Sequence, residues 1–314
     1  MAIVYAGLFA PPAPPRTWIG LQMTWTGWDG SGWSLSDAAD GTVMMAGVRG
    51  LTMPPVVHYT TQYPSVAGAR WRGHTVEPRE IFWPIQVFSD TSSQGWIDRE
   101  RAFWRTMRPE KTGTWTVIQP SGEERKLDCR FVDDSNQAFN QDPVLAGWSN
   151  YGITMKAEQP FWRAEPIRRE WKSSGGAAVP FFPAAPGDGF RISSSTTSDG
   201  AKMLNPGDVD AYPRWEIHGP VTSAVVGVGG KNIEVPFAVA DGKVLVIETD
   251  PTMQTATEYT KSGLDLISPT DKTASLGAAN FVPLPADSTA TVSLTIVGSG
   301  KVALILTPLY LRAW

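Results

Sequence analysis

Through the first half of the chain, apolar and polar positions alternate in short runs broken by turn residues, the period of half-buried β-strands. Between Arg79 and Phe88, residues Ile81, Trp83, Ile85 and Val87 fall on one face. Leu127, Cys129 and Phe131 alternate with Lys126, Asp128 and Arg130, and 114–118 and 153–157 read as further strands. Trp28-Asp29-Gly30-Ser31-Gly32-Trp33 reads as a hairpin turn, with Asp-Gly supplying positive φ and the flanking tryptophans packing across it. One segment changes period. From Ser92 or Ser93 to Arg108, the residues Trp96, Ile97, Phe103, Trp104 and Met107 recur at helical spacing. Serines stand at the N-cap position, Asp98 sits early, Arg105 and Arg108 sit late, and Pro109 stops the helix. Its apolar stripe is expected on a barrel-like sheet, with Arg99, Glu100, Arg101 and Arg105 on the outer face.

The second half carries no comparable helix signal. Short strands are expected at 225–226, 233–239, 243–248, 264–267, 292–297 and 302–306, with Gly298-Ser299-Gly300 as a hairpin between the last two. That spacing suggests a sandwich or jelly roll. The fold class expected is all-β, mainly strand with one helix: a barrel-like sheet followed by a sandwich or jelly roll.

Composition divides the chain at the same place. Twelve of the 14 tryptophans lie between Trp18 and Trp171. Up to Trp171 there are 14 Arg and 3 Lys, and beyond it 3 Arg and 7 Lys. A Gly-, Pro-, Ala- and Ser-rich stretch of linker composition separates the halves. The boundaries expected are a domain over 1–171, a linker over 172–203 and a second domain over 204–314. The stretch from Met1 to Ala10 is apolar, lacks a basic start and runs into prolines, so it reads as an N-terminal strand or arm rather than a signal peptide.

The net charge of −4 argues against a protein living on nucleic-acid phosphate contacts. No apolar run is long enough to span a bilayer. Cys129 is the sole cysteine, which excludes an internal disulfide and a thiolate metal cluster and suits synthesis in a reducing compartment. His58, His74 and His218 share no metal-ligand spacing, and no Gly-x-Ser-x-Gly elbow is present. Gly227-Val228-Gly229-Gly230-Lys231 evokes a phosphate loop, but Val225 stands where its first glycine belongs and Asn232 replaces the magnesium-binding hydroxyl, so it reads as a turn between strands. Glu123–Glu124, Asp133–Asp134 and Asp208/Asp210 read as solvated acids. No catalytic residue, cofactor or metal is expected, and the chain reads as non-enzymatic.

Several stretches in fixed order carry a resemblance: Gly27 through Trp33; Gly47-Val48-Arg49-Gly50-Leu51 with Pro54–Pro55; Arg79 through Phe88; Arg125 through Phe131; and Gln159-Pro160-Phe161-Trp162-Arg163-Ala164-Glu165-Pro166. Asn205-Pro206-Gly207-Asp208, Ala211-Tyr212-Pro213, Asp241-Gly242-Lys243 and Phe281-Val282-Pro283-Leu284-Pro285 follow. Together they resemble the distal tail proteins of long non-contractile-tailed phages (siphophages), the minor tail proteins of actinobacterial phages above all. The resemblance implies a virion structural protein of the tail tip or baseplate, assembled in the host cytoplasm. It implies an N-terminal split β-barrel with a helix and a C-terminal jelly-roll sandwich of galactose-binding or carbohydrate-binding-module type. It also implies a hexameric ring of N-terminal domains, with the tail tube protein, the hub or tail-associated protein and the tape measure as partners. Arg99, Arg101, Arg105, Trp28 and Trp33 are the candidate intersubunit contacts, and neither sequence-specific nucleic-acid recognition nor membrane insertion is expected. The second half leaves little room for an inserted host-binding module.

Two other classes compete. A carbohydrate-binding adhesion protein would hold a cell-wall glycan on the C-terminal jelly roll, yet only Trp215 and Trp314 there offer tryptophan platforms. A tail-associated hydrolase would need an acid–base or nucleophile pair, and none stands out.

Overall fold

The computed structural model describes residues 20–134, 141–172 and 201–314. The expected N-terminal arm, Trp18 and nearly all of the expected linker lie outside the described residues.

In chain order the first elements are β1 (Gln22–Thr26), β2 (Gly32–Ser34), β3 (Thr42–Met44), β4 (Val56–Gln62), β5 (Ala69–Val76), β6 (Arg79–Phe88), helix α1 (Ser93–Arg105), β7 (Thr112–Ile118), β8 (Glu124–Asp133), α2 (Pro143–Ala146), β9 (Trp148–Ala157) and β10 (Trp162–Arg163). Seven of these strands form one antiparallel path, β2-β1-β7-β8-β9-β6-β3, with β10 attached to β8. Its two ends nearly meet: Met44 N donates to Leu35 O at 2.7 Å, and Thr42 Oγ1 donates to Ser34 O at 2.7 Å. The result is a barrel-like sheet that is almost closed.

The period-2 residues fill it. Ile81, Trp83, Ile85 and Val87 of β6 are all buried, as are Leu127 and Cys129 of β8. Four indoles run through the core in contact: Trp25 to Trp83 at 5.3 Å between ring centroids, Trp83 to Trp115 at 5.2 Å, and Trp115 to Trp162 at 5.1 Å. Such rings bury large areas and favour edge-on contacts at these separations. Among the described residues, these four and Trp96 are the buried tryptophans of the first half, and Trp33 and Trp104 pack partly buried against the same core.

Helix α1 starts where expected, with Ser92 as N-cap accepting from Gly95 N at 3.0 Å, and it buries Trp96 and Phe103. It ends three residues earlier than the spacing predicts. Thr106 caps it, donating through Oγ1 to Phe103 O at 2.7 Å while accepting Trp25 Nε1 at 2.8 Å. Met107 is buried just beyond the helix. The expectation of one helix also needs correcting. Asp142 caps a further single turn, α2, whose four residues are too few for a periodic signal.

The remaining elements are β11 (Ile167–Lys172), β12 (Lys202–Asn205), β13 (Arg214–His218), β14 (Val221–Val228), β15 (Lys231–Val235), β16 (Lys243–Glu248), β17 (Thr255–Ser262), β18 (Asp265–Asp271), a 3₁₀ turn (Thr273–Ser275), β19 (Ser288–Gly298), β20 (Lys301–Leu306) and β21 (Leu309–Tyr310). Six strands, β11-β20-β13-β16-β17-β18, and four, β12-β19-β14-β15, make two sheets around a shared aliphatic core. Gly229 and Gly230 both hold positive φ, at 58° and 79°, and close the β14–β15 hairpin. The glycine-rich stretch is thus a turn. Gly298-Ser299-Gly300 is not the expected hairpin: β19 and β20 belong to different sheets, so this segment is the corner between them. A Cβ on Gly300 would lie 2.2 Å from His218 O, so the corner is too tight for a side chain. The strand expected to run to residue 239 stops at Val235, because Pro236 has no N–H for the ladder.

The chain crosses between the two layers twice. β11 pairs with β20 in the sandwich, while β21 returns to the barrel sheet and pairs with β10 as Trp162↔Tyr310 and Arg163↔Leu309. Ala164 N donates to Pro308 O at 3.1 Å. Residues 165–307 therefore form one long excursion out of a two-stranded β10–β21 ladder. Tyr310 and Ala313 end up in the barrel core.

Candidate assembly surface

Among the described residues, the β4–β5 hairpin pairs with no other strand. It forms its own two-stranded sheet, closed at the base by Glu77 N donating to Pro55 O at 2.9 Å. Both faces are open: Tyr59 is 52% exposed, Trp71 58% and Val66 64%, with Val57 and Tyr63 also exposed. The hairpin is organised by its own polar contacts. Trp71 Nε1 donates to His58 Nδ1 at 3.2 Å, Arg72 Nε to Thr61 Oγ1 at 3.0 Å, and Thr75 Oγ1 to Tyr59 Oη at 3.2 Å. His58 and His74 face each other across the strands with ring centroids 6.2 Å apart. An isolated two-stranded ribbon is marginal in water, and its unpaired edges are templates for another chain. Aromatic side chains are enriched where protein partners meet.

A second exposed surface gathers the C-terminal end of α1 and the β1–β2 turn. Arg101 and Arg105 are exposed. Trp28 is partly exposed; its Nε1 donates to Arg105 O at 3.0 Å, and Arg108 and Lys111 lie over its ring at 5.1 and 5.8 Å. Within that turn, two serine hydrogen bonds hold the Asp29 carboxyl below the usual carboxylate range.

The sequence-predicted residues divide accordingly. Trp28, Arg101 and Arg105 share this surface. Trp33 is half-buried and meets Phe103 edge-on at 5.4 Å, while its cross-strand partner is Trp25 rather than Trp28. Arg99 is half-buried and donates through Nη1 to Phe88 O at 2.8 Å, so it holds the helix to β6. Glu100, expected outside, is half-buried and accepts from Tyr151 Oη at 3.2 Å. Burial raises its carboxyl and pushes the tyrosine up to about 12.

The hairpin was missed because residues exposed on both faces show no alternation. Its signal was composition: two β-branched and aromatic runs on either side of Tyr63-Pro64-Ser65. Among the described residues no group of three or more His, Cys, Asp and Glu side chains is placed to hold a metal, and no helix is long and apolar enough to cross a membrane. Of the acids, Asp208 accepts from Leu311 N at 3.1 Å and Asp210 from Ala286 N at 2.9 Å, and Glu123 pairs with Arg125 at 3.0 Å. Burial pushes the Cys129 thiol far above its ordinary value.

Barrel, flanking helix and excursive sandwich define a two-layered all-β fold with a projecting arm. That fold is shared with solved phage proteins. The Dit protein of phage SPP1, described as a paradigm of the hub adsorption apparatus in phages infecting Gram-positive bacteria, superposes with a TM-score of 0.61 at 12% identity, covering 92% of this chain and 99% of that one. A chain of the phage P2 baseplate in its activated conformation with calcium gives 0.56 at 12% identity, covering 92% and 98%. The strontium form of the p2 baseplate gives 0.52, with the same identity and coverage. No protein-family model and no curated protein matches the chain.

Proposed function

We propose that this chain is a structural, non-catalytic component of a phage tail tip, of the distal tail kind. In this reading it assembles with copies of itself into a ring, taken as six-membered, between the tail tube above and the hub below. The observation that carries it is the β4–β5 hairpin, which exposes Tyr59, Trp71 and Val66 on a ribbon whose two outer edges pair with no other described strand. Such a ribbon gains its stability from a neighbour. The likeness to Dit and baseplate chains extends over 92% of the chain, which covers the barrel and the sandwich alike. Arg101, Arg105 and Trp28 supply a further contact surface suited to arginine's fork of donors.

The test is the mass of the purified full chain by light scattering, with negative-stain imaging of the particles. Rings are expected at micromolar concentration. Tyr59→Ser with Trp71→Ser should reduce them to lighter species while the near-ultraviolet signature of the indole core persists. A wild-type chain that stays monomeric, or a variant that assembles unchanged, sinks the proposal.

A further inference from the structure

The net charge of the chain is −4, yet four of its ten lysines converge on one cleft of about 410 Å³ in the sandwich. The cleft lies at one end of the six-stranded sheet, where β11 ends at Lys172, β13 ends at His218, and β16 and β20 begin at Lys243 and Lys301. Lys261 joins them from β17, and Asp241 is the single acid on the lining. Lys172 and Lys301 are directly opposite across β11 and β20, and His218 faces Lys301 from the other side. Like charges opposed in this way destabilise a sheet. A local rule broken in this way is a feature of functional sites in folded proteins.

The charges are only partly answered from within. Lys301 Nζ lies 3.1 Å from a Glu170 oxygen, and Lys243 Nζ lies 2.6 Å from Glu258. Asp241 accepts from Gly242 N at 3.0 Å. Lys172 and Lys261 are exposed and have no side-chain partner among the described residues. Lysine binds phosphoryl oxygens as a mobile point charge. The cleft has the volume of a small-molecule site and exceeds what one oxyanion fills.

We infer that this cleft binds a phosphoryl group carried on a small polyol or sugar, with Lys172 and Lys261 as its principal ligands. The inference does not rest on ring formation, and the readout below works on any oligomer. Thermal unfolding of the full chain is followed in glycerol 3-phosphate, inorganic phosphate, glycerol and sodium chloride at matched ionic strength. A saturable rise in Tm is expected with glycerol 3-phosphate but not with glycerol or the chloride. Lys172→Gln with Lys261→Gln should abolish that rise while raising the Tm in dilute buffer, because the opposed charges are gone. Lys261→Gln alone, at an exposed position, should weaken the response if the double variant fails to fold. A larger rise with glycerol 3-phosphate than with inorganic phosphate is expected, and an equal one overturns the assignment of a polyol or sugar. A rise matched by chloride, or one undiminished in both lysine variants, overturns the inference.

Discussion

Arg79 Nη2 donates to the carbonyl of Leu311 at 2.8 Å, joining positions 232 apart in the chain. The same guanidinium donates to Pro160 O at 2.7 Å, to Gly50 O at 2.8 Å and to Thr52 O. Arg79 is 1% exposed, and burial lowers its pKa to about 10, which leaves it charged at neutral pH. Among the described residues no carboxylate pairs with it. Four of its donors instead satisfy four carbonyls from three segments, a geometry only a planar fork provides.

Replacing Arg79 by leucine is expected to cost about 3–5 kcal/mol, because the buried carbonyls lose their donors together. Arg79→Lys should recover only part, since an ammonium cannot span all four. Urea unfolding followed by tryptophan fluorescence measures both. A leucine variant within about 1 kcal/mol of wild type would show that the carbonyls find other partners.

Phe103 is fully buried between Trp33 and Trp104, at ring separations of 5.4 and 6.0 Å. Phe103→Ala should cost roughly 3–5 kcal/mol through the cavity it leaves. The expected signature is a lower Tm with loss of near-ultraviolet dichroism. Retention of the wild-type Tm would mean that the indoles collapse into the space.

On α1, reversing Arg101 and Arg105 to glutamate should leave the fold intact and lower the assembled mass. Arg99→Glu should instead destabilise the monomer, because it removes the bond to Phe88 O. Melting and light scattering on the same samples separate the two effects. A double reversal at Arg101 and Arg105 that assembles normally leaves the β4–β5 hairpin as the whole contact.

Glu216 has an acid-dependent role. His218 first, then Arg168 and Arg214, act against burial to hold its carboxyl down to about 2 from an ordinary 4.5. A depressed carboxylate contributes stability above its unfolded value, lost as pH falls from about 4.5 toward 2. The contribution is about 3 kcal/mol at neutral pH. Glu216→Gln should therefore be destabilised at pH 7 yet lose less than wild type on acidification. Parallel acid titrations of the two chains would disprove the assignment.

Much of the barrel was legible because its strands are half-buried. Period 2 identified the inner residues of β6 and β8, and the capping residues placed α1 within a few positions. Arg79 sits on the same inner face as Ile81, yet no local pattern says that an arginine belongs inside. Its justification is a set of carbonyls as distant as Leu311. The corner at Gly298–Gly300 misled for a related reason. A tight glycine turn looks the same locally whether the next strand pairs with the last or joins another sheet. The cleft at Lys172 and Lys301 was equally hidden, since strand register alone makes those two residues neighbours.

Because Trp162–Arg163 and Leu309–Tyr310 are themselves paired, the sandwich leaves and re-enters the barrel through one ladder. In heredity this makes it exchangeable. A recombination that replaced the coding sequence for 165–307, in frame, would deliver a different module to the same two strands, and Tyr310, Leu311 and Ala313 would still reach their seats. Descendants would thus vary the sandwich while inheriting the barrel unchanged.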